Sequence, residues 1–165
     1  MAGSSYLQMA AGGSFGSVGT LASTTTIEFS GGTTALAGLT TFGNLVISGG
    51  THAGTPTVNG ALSLSGTGRL EATSVLNVTG ALSMANTSYL QMAAGGSFGS
   101  VGTLASTTTI EFSGGTTALA GLTTFRNLTI SGGTHTLSSD IGAGSVMVSG
   151  GTLAIGARTV TASGG

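Results

Sequence analysis

Two pairs of residues in this chain are of types that do chemistry together. His52 and His135 are the only histidines and could share a metal ion, while Glu28 and Glu111 could work as an acid/base couple. In both pairs the partners stand 83 positions apart, which turns out to be the period of a long internal repeat. Both pairs are therefore copies of one residue rather than two halves of a site. If four coils of about 4.8 Å separate the copies, they lie about 19 Å apart, too far for a shared metal and too far for carboxyls that must lie within about 10 Å. Copied surface positions are the expected reading of the histidines, and solvated face positions that of the glutamates.

The remaining candidates are weaker. Asp140 is the only aspartate, so a calcium-binding Gly-Gly-x-Gly-x-Asp array is ruled out. Gly13-x-x-Gly16-x-x-Gly19 and its copy beginning at Gly96 lack the lysine and the following helix of a phosphate loop. Serine is abundant, yet no histidine and acid stand near one in sequence to activate it. Asn77, Asn86 and Asn127 each open an Asn-x-Ser/Thr glycan-acceptor pattern, but in so Ser/Thr-rich a chain such matches arise readily by chance. The expectation is no catalytic residue, no metal ligand and no cofactor.

Composition narrows the partners. Charged residues make up 4% of the 165, against about 25% in ordinary domains, and the only cations are Arg69, Arg126 and Arg158. No basic face exists to neutralise phosphates, so nucleic acid and anionic lipid are poor partners, and no apolar window is long enough for membrane insertion. With no cysteine there are no disulfides or thiolate metal sites. Hydrophobic residues at 39% still provide for a core, and the near absence of surface charge removes the usual protection against self-association.

The elements that carry these residues repeat on two scales. Residues 1–52 match residues 84–135 at 48 of 52 positions, the exceptions being Gly3/Asn86, Ser4/Thr87, Gly43/Arg126 and Val46/Thr129. Long repeats over 1–83 and 84–165 follow, forming one continuous array. Within them, alternating apolar pairs recur at Ile27/Phe29, Leu45/Ile47, Leu62/Leu64, Leu82/Met84, Ile110/Phe112, Leu128/Ile130 and Val146/Val148, at intervals of 18, 17, 20, 28, 18 and 18 residues. Five copies of Ser-Gly-Gly-Thr, starting at Ser30, Ser48, Ser113, Ser131 and Ser149, act as corners where glycine supplies φ > 0.

Period-2 alternation sends one residue of each strand inward and the next outward, which excludes helices. A sandwich of antiparallel hairpins would share the alternation, but only stacking explains why successive units carry the same apolar pair in the same place. The expected fold is all-β, a parallel β-solenoid (β-helix) of about eight coils of roughly 20 residues, right-handed by the usual hand of β crossovers. Each long repeat should hold about four coils, one of them the long coil through residues 93–100.

Runs such as Phe125-Arg126-Asn127-Leu128-Thr129-Ile130-Ser131-Gly132-Gly133-Thr134 and Val146-Met147-Val148-Ser149-Gly150-Gly151-Thr152-Leu153 resemble repeats in the β-helical passenger regions of bacterial autotransporters and filamentous surface adhesins. The resemblance implies a cell-surface or extracellular location and a stalk, adhesin or fibre role. The leading functional expectation is a non-enzymatic subunit of a self-assembling extracellular filament, with an adhesin stalk or passenger fragment as runner-up. Ice binding through a threonine ladder comes third, because the outward column reads Glu28, Val46, Ser63, Ser83, Glu111, Thr129, Met147. The first and last residues read as two parts of one coil. That predicts head-to-tail stacking of copies into a homopolymer, since open solenoid ends expose unpaired strand edges.

Overall fold

A computed structural model of the protein describes residues 4–11, 13–15 and 21–164. The chain winds into a β-solenoid of about eight turns, and every ladder among the described residues is parallel. In chain order the strands are β1 (Tyr6–Met9), β2 (Thr26–Thr34), β3 (Thr41–Phe42), β4 (Asn44–Gly54), β5 (Thr57–Val58), β6 (Leu62–Leu64), β7 (Arg69–Ala72) and β8 (Leu76–Met84). They continue as β9 (Tyr89–Met92), β10 (Gly96–Leu104), β11 (Thr109–Phe112), β12 (Thr124–Ile130), β13 (Thr134–Thr136), β14 (Ile141–Val148), β15 (Thr152–Ala154) and β16 (Val160–Ala162).

The strands stack in three columns. Face A holds β3, β5 and the first parts of β8 and β10, and later β13 and β15. Face B holds β1, then the first parts of β2 and β4, then β6 and the last parts of β8 and β10, and later the first parts of β12 and β14 with β16. Face C runs from the last parts of β2 and β4 through β7, β9, β11 and the last parts of β12 and β14. The longer strands bend around a corner and so serve two faces.

Alternation delivers the core as the pattern requires. Leu70, Leu90, Ile110 and Leu128 line face C from inside, and Phe29, Ile47, Leu64 and Met84 line face B, none more than 2% exposed. Each such side chain contributes about 1.5–3 kcal/mol on burial. Because every rung rests only on its neighbours, that stabilisation is local to adjacent coils.

The two glycines of each Ser-Gly-Gly-Thr corner have different reasons to be glycine. Only the second has positive φ, between 68° and 78° at Gly32, Gly50, Gly115, Gly133 and Gly151. The first is required by contact: a Cβ at Gly49 or Gly150 would lie 2.5 Å from the carbonyl oxygen of Ser30 or Ser131 in the coil below. Corner backbones thus stack as closely as the strands.

One expectation about the repeat is corrected. Tyr6–Met9 and Tyr89–Met92 are identical in sequence, yet β1 pairs with β2 on face B whereas β9 lies between β7 and β11 on face C. Likewise Thr26–Phe29 sits on face B and its copy Thr109–Phe112 on face C. The 83-residue period therefore spans four turns plus one face, not a whole number of coils. The 28-residue interval from Leu82 to Ile110 contains a full turn and that extra face, so the second copy is rotated by one face relative to the first.

Candidate functional site

The histidines are not on the surface. His52 pairs with Leu70 and His135 with Leu153, which are inward positions, and both imidazoles are 0% exposed. His52 packs on Phe29 with ring centroids 4.8 Å apart, and His135 on Phe112 at 5.1 Å. The signal was present in the sequence: His52 precedes the core Leu70, and His135 the half-buried Leu153, by 18 residues, one coil. His52 Nε2 lies 3.1 Å from the Gly49 carbonyl oxygen and Nδ1 lies 2.8 Å from the Thr34 hydroxyl. Since a carbonyl only accepts, Nε2 carries the proton of the neutral ring and Nδ1 accepts from Thr34. Burial holds the His52 pKa below the ordinary 6.5, against the opposing pull of the Gly49 carbonyl. His135 has carbonyl oxygens at both ring nitrogens, Gly132 at 3.1 Å and Thr117 at 3.2 Å. Both imidazoles tie a corner to a neighbouring coil.

The glutamates do face outward, but Glu111 is not solvated. It is 8% exposed and accepts hydrogen bonds from the Tyr89 hydroxyl and the Ser131 hydroxyl, one coil to either side. Its copy Glu28 is half-buried and accepts from Ser48. Face C extends the Glu111 group into a stack. The Arg69 guanidinium lies 3.9 Å from the Tyr89 ring centroid, and its Nε donates to Glu71 at 2.7 Å. Burial, with the Glu111 carboxylate beside it, pushes the Tyr89 phenol up to about 12. Glu71 and Glu111 stand in one outward column with Gln91 on the rung between them. The space between the two carboxylates is thus occupied, and their partners are structural. The signal for this stack was residue spacing of about one coil.

The other candidates also resolve into local structure. Among the described residues no three of His, Cys, Asp and Glu come together as a metal group, and no helix is long and apolar enough to cross a membrane. Asp140 Oδ1 accepts from the Thr159 amide at 2.9 Å. The Gly13-x-x-Gly16-x-x-Gly19 run lies partly outside the described residues, while its copy Gly96, Gly99 and Gly102 lies within strand β10. Thr24-Thr25-Thr26 and Thr107-Thr108-Thr109 leave corner turns into strands, with Thr25 and Thr108 buried, so neither forms an outward rank of three hydroxyls. Of the three asparagines, Asn127 is engaged at both ends, donating to the Thr108 carbonyl at 2.9 Å and accepting from Ser145 at 2.8 Å. Asn77 accepts from Ser97 at 3.1 Å, and Asn86 sits on an exposed turn at φ 56°.

Among the described residues a cleft of about 450 Å³ is lined by residues 101–104, Thr123, Thr124 and Arg126. It lies where the second copy changes face. Arg126 Nε donates across it to the Leu104 carbonyl at 2.8 Å. Arg126 stands where the first copy has Gly43, whose Cβ would meet carbonyl oxygens of Ala22 and Thr25 at 2.5 Å. An arginine fits only where the coils have parted.

No protein-family model matches the chain, and neither does any curated protein or solved structure.

Proposed function

We propose that this chain is a non-enzymatic structural subunit of an extracellular filament in which a terminal coil of one copy continues the ladder of the next. The observation that supports the reading is apolar surface on the outermost strands of the ladder among the described residues. In the inward column of face C, Phe112 and Ile130 are 0% exposed, whereas Val148, the next rung, is 51% exposed. Met147 and Ile155 in the same last coils are 55% and 42% exposed, and Tyr6 on β1 is 61% exposed. Apolar surface and unpaired strand edges together favour continuation by more coils of the same kind. Such a contact is heterologous and open, so it propagates. The scarcity of charge and the resemblance to surface-exposed β-helical repeats support an extracellular place.

Electron microscopy of the purified chain tests this. Expected are regular unbranched filaments with an axial repeat of about 40 Å, from eight to nine coils at about 4.8 Å. Ile155→Lys with Ser163→Lys should halt growth and leave the far-ultraviolet circular dichroism spectrum unchanged. A stable monomer at all concentrations overturns the filament and favours the second reading, a stalk segment of a surface adhesin, which the repeat resemblance supports.

A further inference from the structure

The ladder of face B is broken once among the described residues. β10 pairs with β8 alone, and the first part of β12 pairs with β14 alone, so residues 101–104 and 123–126 face each other across the cleft without a shared ladder. The edge toward the cleft carries backbone groups. Gly142 N–H donates to the Thr123 carbonyl at 2.9 Å, which by the alternation of a parallel ladder turns the Thr124 N–H and C=O away from β14 and into the cleft. On the opposite wall the Leu104 carbonyl already reaches outward to Arg126. Only Nε of that guanidinium is used in this bond, and among the described residues the one ion pair is Arg69 with Glu71, so Arg126 has no carboxylate partner.

We propose that the cleft accepts an extended peptide of about four residues as an inserted strand, with its C-terminal carboxylate held by Arg126. Both walls run in the same direction and every other rung of the solenoid is parallel, so the insert runs parallel too. Its C-terminus then arrives at the end marked by Leu104 and Arg126. There the arginine closes the slot and offers its remaining N–H groups to two carboxylate oxygens, a charge-assisted fork. Strand addition supplies backbone hydrogen bonds, and the small lining residues Gly102, Thr103 and Thr123 leave room for alternate side chains. The partner is thus recognised by an extended backbone ending in a free carboxylate. This site is separate from the ends invoked in filament growth.

The test is a fluorescence-polarisation titration of the full chain with the N-terminally fluorescein-labelled peptide Ser-Val-Thr-Val, as free acid and as C-terminal amide. The acid should bind at least about tenfold tighter than the amide. Arg126→Gln should erase that difference without changing the thermal midpoint, and Arg126→Gly should behave likewise. Amide resonances of Gly102, Thr103 and Thr124 should shift on binding. Equal binding of acid and amide, or no binding of either, overturns the proposal. So do shifts confined to β1 or to β14–β16, which would place the peptide on the terminal edges, or identical shifts with sodium acetate alone, which would reduce the cleft to a cradle for small anions.

Discussion

Tyr6 and Tyr89 hold the same position in two stretches of sequence that agree at 48 of 52 residues, yet they stand on different faces of the solenoid. Tyr89 has Arg69 over its ring and Glu111 at its hydroxyl, while Tyr6 is 61% exposed on an edge strand. The same local sequence acquires different neighbours because the repeat length is not a whole number of turns.

The Tyr89 hydroxyl should therefore matter more than an exposed tyrosine would. Tyr89→Phe removes a donor from a nearly buried carboxylate and should cost about 1–3 kcal/mol in urea unfolding. Its folded pKa of about 12 exceeds the unfolded value near 10, so the associated stability is fully present below pH 10 and is lost as pH rises toward 12. Ultraviolet titration of the Tyr6→Phe protein, which leaves one phenol, should show a midpoint near 12.

His52 sets an acid limit of opposite sign. Its folded pKa is lowered by burial, so the neutral ring is favoured by folding, and the stability it contributes is present above about pH 6.5 and declines as pH falls below that. The thermal midpoint of the native chain should drop between pH 7.5 and 5. His52→Leu should drop less over the same interval, and an identical drop in both proteins would show that His52 does not control it.

Substitutions in one outward and one inward register should separate cleanly. Leu90→Ala, at 0% exposure, should cost about 2–5 kcal/mol, while its neighbour Gln91→Ala should stay within about 0.5 kcal/mol by chemical denaturation. Ile110→Asp should break the stack outright. Glu111→Ser, by contrast, should weaken the fold measurably, because Tyr89 and Ser131 both rely on that carboxylate.

Three glycines should respond differently to alanine. Gly133→Ala combines φ +76° with a Cβ 2.8 Å from the Gly114 carbonyl carbon and should cost more than about 2 kcal/mol. Gly121→Ala has φ +74° but open space, and should cost about 1–2 kcal/mol. Gly142→Ala has neither obstacle and should stabilise by about 0.4–1 kcal/mol, read as a rise in thermal midpoint.

What the sequence determined by itself was the class of fold and its core. Period-2 pairs such as Ile110/Phe112 and corner motifs such as Ser131-Gly132-Gly133-Thr134 are local signals, and stacking identical units on one another is the arrangement that buries them all. Tertiary structure decided everything that depends on which coil lies above and below. Alternation alone could not tell that His52 and His135 take core places normally held by leucine, because an imidazole is tolerated inside only when partners such as Thr34 and the Gly49 carbonyl meet both nitrogens. Nor could it reveal the cover on Glu111, which comes from residues 20 and 22 positions away. The rotation of the second copy by one face was likewise hidden in a single 28-residue interval, since chain length fixes how far the backbone travels while only the ladder fixes which face it reaches.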